Sequence, residues 1–270
     1  MTPLIPALLI GLGGTIVSRE IETLEHAAET QLAARLAGQQ KVVQVNARPA
    51  GFGVIWGEVS ELDISAHSFE VDQIPFFAEP TYSQAGKIKK LTMNLREFNL
   101  AGLEVASLNA TIPDCRYDFA AARDHKLFRL TRSGAGTGSV SVTQDALADY
   151  LVSRYKEIER ATVKIEKDHA WVEGYVNLGF FKSEFAVVSK LAARNGSEIV
   201  FDNPKIYFDW IRTDEIGTRA ITSFLDPIID LNDDLGLFGA MDIQTLTLES
   251  GLLTASGTVS VPSAVSRTGS

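Results

Sequence analysis

Leu62-Asp63-Ile64-Ser65-Ala66-His67-Ser68-Phe69-Glu70-Val71 alternates apolar and polar side chains and then changes step. Leu62, Ile64 and Ala66 share one face, with Asp63, Ser65 and His67 opposite. That period of two is the pattern of a half-buried strand. At Ser68 the phase slips, and Phe69 and Val71 become the apolar pair. A slip inside a long strand reads as a bulge, and bulges bend sheets.

The segments on either side continue the strand pattern. Val43, Val45 and Ala47 alternate with Gln44 and Asn46, and Phe52, Val54 and Trp56 extend the face of Leu62 after Pro49-Ala50-Gly51. Residues 87–96 alternate cleanly, with Leu91, Met93 and Leu95 inward and Thr92, Asn94 and Arg96 outward. Further strands are expected over 103–107, 127–131, 161–167, 171–178, 183–192, 198–201 and 205–211. A closing hairpin, 242–249 with 252–261, turns at Ser250-Gly251.

Helices are fewer. Ile21, Leu24, Ala28, Leu32 and Leu36 recur at helical spacing, which predicts an amphipathic helix over 20–37 stopped by Gly38. Thr143 stands as an N-cap before Leu147, Tyr150, Leu151 and Ile158. A third, short helix is expected over 214–225, ended by Pro227. Long strands without strict strand–helix alternation predict an α+β fold. Its expected core is a long, strongly curved, mostly antiparallel sheet wrapped around one or two helices. Ser133-Gly134-Ala135-Gly136-Thr137-Gly138-Ser139 reads as a flexible linker between two halves of that sheet.

The 270 residues are 45% hydrophobic and 22% charged, too apolar for a disordered chain. A net charge of -9 opposes non-specific nucleic-acid binding, which needs a basic face. A single cysteine, Cys115, excludes an intrachain disulfide and a cysteine-rich metal site. Residues 1–18 carry no charged side chain, and three readings stand for them. They form a signal peptide or an N-terminal membrane anchor, or a buried strand leading through glycines into a helix. The last resembles the start of a dinucleotide fingerprint, but Ile16 stands where its third glycine belongs. The expected organisation is a leader or anchor over 1–18, one domain over 19–262 and a frayed tail over 263–270.

Chemistry-bearing patterns are sparse. His26, His67, His125 and His169 lie far apart, and no Gly-x-Ser-x-Gly elbow occurs. Asp230-Leu231-Asn232-Asp233-Asp234-Leu235-Gly236 begins like a calcium loop. Its glycine falls one residue late and Met241 occupies the twelfth position, so it reads as an acidic turn, with a weak, solvent-exposed cation site as the alternative. Lys87, Lys89 and Lys90 form a basic cluster that either guards a strand edge or meets a lipid phosphate. No catalytic residue, metal site or cofactor is expected.

In order along the chain, several features resemble the LmeA-like phospholipid-binding family of bacterial envelopes. An apolar N-terminal segment precedes a mixed-charge helix, and a strand-Pro-strand unit follows over 42–64, with Gly57 in its second strand. Val142-Thr143-Gln144-Asp145-Ala146-Leu147-Ala148-Asp149-Tyr150-Leu151 echoes the family's Leu-Thr-x-x-x-Leu-x-x-Tyr-Leu. Asp226-Pro227-Ile228-Ile229-Asp230-Leu231 and the last hairpin match its close. Basic residues before the apolar run, usual in the family, are missing. The resemblance implies a curved, tubular lipid-binding-like sheet around a helix. It also implies phospholipid or another acyl-chain lipid as ligand, a membrane surface as partner, no enzymatic activity, and a place in the periplasm or cell envelope. Leu147, Tyr150 and Leu151 on the middle helix, with Ile221, Phe224 and Ile228 later, are the expected ligand-lining residues. Two other classes make different predictions. A structural envelope protein predicts a solid interior, and a lipid- or glycan-modifying enzyme predicts clustered titratable groups in a cleft.

Overall fold

A computed structural model describes residues 6–264 apart from 178, 180 and 181, with the backbone alone for 6–18, 220, 221 and 224. Helix α1 (Pro6–Arg35) leads into strand β1 (Val42–Pro49), a 3-10 turn (Gly51–Trp56), β2 (Glu58–His67) and β3 (Glu70–Val71). Next come β4 (Gly86–Leu100), β5 (Leu103–Tyr117), α2 (Phe119–His125), β6 (Leu130–Arg132), β7 (Gly136–Thr143) and α3 (Gln144–Arg154). The second half holds β8 (Ile158–Glu166), β9 (His169–Asn177), β10 (Lys182–Arg194), β11 (Glu198–Phe208), β12 (Ile211–Arg212) and α4 (Glu215–Leu225). Strands β13 (Ile229–Asp230), β14 (Met241–Glu249) and β15 (Leu252–Val259) close the chain. The fold is α+β, strand-rich and strongly curled.

The strands divide between two sheets, where the sequence suggested one. The first, of nine strands, runs β1-β2-β4-β5-β7-β15-β14, with β3 on β4 and β6 on β5; the second, of six, runs β12-β11-β10-β9-β8 with β13 on β11. Among the described residues the named strands pair antiparallel except β2 and β3 against β4. One buried cluster runs through both sheets and takes in Leu24, Leu32 and Leu36 of α1 and Leu147 and Leu151 of α3.

The phase slip at Ser68 is real, but it is not a bulge in one strand. His67 lies opposite Arg96 before it and Glu70 opposite Asn99 after it, so the register is kept. Strand β4 takes the same step: Met93 and Leu95 face inward before it, Phe98 and Leu100 after it. Strand β5 does so between Val105 and Leu108, with Arg96 opposite Ser107 and Phe98 opposite Val105. Ser68 and Glu97 adopt left-handed backbone, φ 56° and 49°, at the step. A second line crosses the same strands where Val59 gives way to Leu62, Ile88 to Leu91, and Ile112 to Cys115. Two coordinated steps keep one face of three long strands apolar. A rigid period of two would have turned half of those side chains outward.

Two sequence expectations fail locally. Phe52, Val54 and Trp56 are not strand. Left-handed Gly51 and Gly57 (φ 59° and 80°) bracket a 3-10 turn in which Val54 alone is buried. From Gly136 onward the glycine-rich run is not a linker but the first half of strand β7, paired to β5 and β15. At Gly136 a Cβ would come within 2.0 Å of the Thr111 carbonyl oxygen, so the glycine there serves a close backbone approach. Thr143 caps α3 as expected, its hydroxyl accepting from Ala146 N–H at 3.2 Å.

The expected leader or anchor falls partly on residues 1–5, outside the described chain. Residues 6–18 form the first turns of α1, with side chains outside the description. Among the described residues no helix is long and apolar enough to cross a membrane. The tail beyond 264 also lies outside the described residues.

Candidate functional site

The parallel pairing of β2 and β4 creates the site's cover. Parallel neighbours cannot be joined by a tight hairpin, so the chain must cross back along the sheet between them. Here the crossover has no helix. After β3 it runs as a strap of Ile74, Pro75, Phe76 and Phe77, and the first three of these line an apolar cavity.

That cavity has a volume of about 150 Å³. Its floor is the inner face of the first sheet: Ile64 and Ala66 of β2, Met93 and Leu95 of β4, Leu108 and Ala110 of β5. Phe69, Phe98, Leu100 and Val105, displaced by the phase step, form one wall, and Leu32 and Leu36 of α1 form another. Leu231, Leu235 and Leu237, between β13 and β14, close the far side. Among the described residues the lining holds no charged or histidine side chain; Asn109, Ser139 and Ser260 are its polar members.

Two segments clasp over the cavity. The backbone N–H of Ile74 donates to the carbonyl of Gly236 at 3.2 Å. Phe77 meets Phe238 at 5.7 Å between ring centroids, tilted 56°. Arg35 Nη1 donates to the Pro75 carbonyl at 2.9 Å and ties the strap to α1. Gly236 is left-handed (φ 59°), and a Cβ there would lie 2.7 Å from that of Gln73.

Four of the six residues expected to line a ligand site lie outside this cavity. Leu147, Tyr150 and Leu151 are buried where α3 packs on β8, β5 and β7. Ile228 is buried and donates its N–H to the Ile199 carbonyl at 2.9 Å. None of the four lines the cavity. The side chains of Ile221 and Phe224 lie outside the described residues. The Tyr150 hydroxyl accepts from Arg154 at 3.1 Å, and burial holds its pKa above the usual phenol value. Arg154 also pairs with Asp234.

That pairing accounts for part of the acidic turn. Asp230 Oδ1 accepts from the N–H groups of Asn232 and Asp233 at 2.8 and 3.1 Å, and Asp234 Oδ2 accepts from Asp230 N–H at 2.6 Å. The carboxylates hold the turn itself. Among the described residues no group of three or more His, Cys, Asp or Glu side chains is arranged to hold a metal ion. All four histidines are exposed, and Cys115 is buried. No family model, curated protein or solved structure matches the chain.

Proposed function

We propose that this chain is a non-enzymatic binding protein that holds a lipid acyl chain in the cavity between the curled sheet and α1. The observation that carries the reading is the lining: a continuous apolar wall with no ionisable group. Such a wall offers an acyl chain the hydrophobic effect, about 0.8 kcal/mol per methylene removed from water. It has nothing with which to stabilise a buried carboxylate or phosphate, so a headgroup stays at the mouth. The same wall lacks a group to move a proton, which favours binding over catalysis. A structural protein with a filled interior does not need a cavity under a two-part cover. The resemblance to the LmeA-like family supports a phospholipid as the lipid and the cell envelope as the location.

With the cover closed, the cavity matches the roughly 150 Å³ site that holds one benzene-sized guest. A full chain therefore enters only when the strap and the 231–240 segment part. The test is uptake of a fluorescent acyl chain by delipidated protein. Wild type takes it up saturably, and Leu108→Trp, which fills the cavity from β5, does not, while both melt within a few degrees of each other. Equal uptake by both proteins contradicts the reading.

A further inference from the structure

The 3-10 turn exposes what most surfaces hide. Phe52 is 75% exposed, Trp56 70% and Ile55 42%, next to Val54, which is 3% exposed and pinned against α1. The turn is a fixed pedestal. Gly57 N–H closes it onto the carbonyls of Gly53 and Val54, and a Cβ on Gly57 would meet the Phe119 ring at 2.6 Å. Three large apolar side chains held outward on a rigid turn mark a contact surface.

Two further observations say what it contacts. The first is the course of α1. Leu36 lies at the Phe69 end of the sheet, while Glu20, Ile21 and Leu24 share a crevice with Val54, Val59 and Tyr117 at the turn's end. The helix backbone continues from there to Pro6, about 20 Å at 1.5 Å per residue. Residues 6–18 of the helix carry no charged side chain. The second is cationic. Lys87 donates its backbone N–H to the Gly57 carbonyl at 2.9 Å and lies between Arg116 on β5 and Glu58 on β2, whose carboxylate lies against Gly53 of the turn, with Lys89 exposed two residues on. In a chain of net charge -9, these cations sit beside the exposed aromatic turn. Aromatic side chains at the level of lipid headgroups, with basic residues near the phosphates, describe a bilayer interface.

We propose that this end of the domain docks on an anionic phospholipid bilayer. Phe52, Ile55 and Trp56 enter the headgroup–acyl boundary beside the start of α1, with Lys87, Lys89 and Arg116 toward the phosphates. The inference is independent of what fills the cavity, since none of these six residues lines it.

The full chain carries Trp56, Trp171 and Trp210, so Trp171→Phe with Trp210→Phe leaves Trp56 as the reporter. With equimolar phosphatidylglycerol and phosphatidylcholine vesicles, Trp56 emission shifts to the blue, and brominated acyl chains quench it. In wild type, Trp56→Phe, a change at an exposed site, removes the quenchable part of the emission, so the reading survives a poorly folding double variant. Vesicle binding with Trp56 emission unmoved overturns the proposal, as does quenching of Trp210 in its place, or absence of vesicle binding. Acyl-probe uptake without vesicles is scored separately, and its success or failure decides the cavity reading alone.

Discussion

The rings of Phe69, between β2 and β3, and Phe98 of β4 stack at 4.8 Å between centroids and 7° between planes, each just past the phase step. Both are nearly fully buried and both line the cavity. The pair locks the step in β4 to the step beside it, and the curl of the sheet depends on the two agreeing. Phe98→Ala is expected to cost about 3–5 kcal/mol of stability, as for other buried aromatic truncations. Phe98→Leu, which keeps most of the volume, should cost clearly less. Urea unfolding measures both, and equal small losses would remove the pair from the account.

The clasp between strap and acidic segment should govern access. Gly236→Ala places a side chain on left-handed backbone and against Gln73, so it strains the donor–acceptor pair of Ile74 and Gly236. The expected cost is about 1–2 kcal/mol. It should appear as faster amide exchange at Ile74 and faster release of a bound acyl probe. Unchanged release with accelerated exchange would show that ligand leaves by another route.

Strand β7 tolerates little bulk. Gly136→Val drives its side chain into the Thr111 carbonyl and should part β5 from β7, giving aggregated or strongly destabilised protein. Gly179→Ala, at a glycine with open space around its Cβ position, should keep the protein soluble despite its left-handed backbone. Soluble yield and circular dichroism of the two variants test the difference.

Burial pushes the Cys115 thiol from 9.0 up to about 11. Near pH 8 the folded protein should therefore resist an aromatic disulfide reagent that modifies the urea-unfolded chain at once. The linkage has a definite sign. Between pH 9 and 11 the folded state retains a proton that the unfolded state releases, so this group's contribution to stability falls as pH rises through that window. Cys115→Ala should flatten that part of the pH profile, as seen in urea melts.

The alternation of residues 87–96 and the slip at Ser68 were legible because each is a local pattern of apolar side chains. That Glu97 and the Val105–Leu108 stretch take the same step was not, since only cross-strand pairing brings the three together. Gly136 and Gly138 look alike in a linker and in a crowded strand; sequence does not show the Thr111 carbonyl beside them. Phe52, Val54 and Trp56 kept a strand's period inside a turn set by two left-handed glycines. For the site, an apolar helix face such as Leu147, Tyr150 and Leu151 says that it is covered, not by what. The cavity lining is spread over several strands, two loops and α1, with no motif to mark it. The signal that did exist was the slip itself, which moves Phe69 and Val71 onto the cavity wall.

Native mass spectrometry of the full chain, purified without detergent and sprayed intact, tests acyl-chain binding most directly. The account predicts a second species heavier by the mass of one lipid, which collapses to the bare chain on collisional activation and is missing from Leu108→Trp. Bare chain alone, in repeated preparations and after incubation with phospholipid, would contradict it.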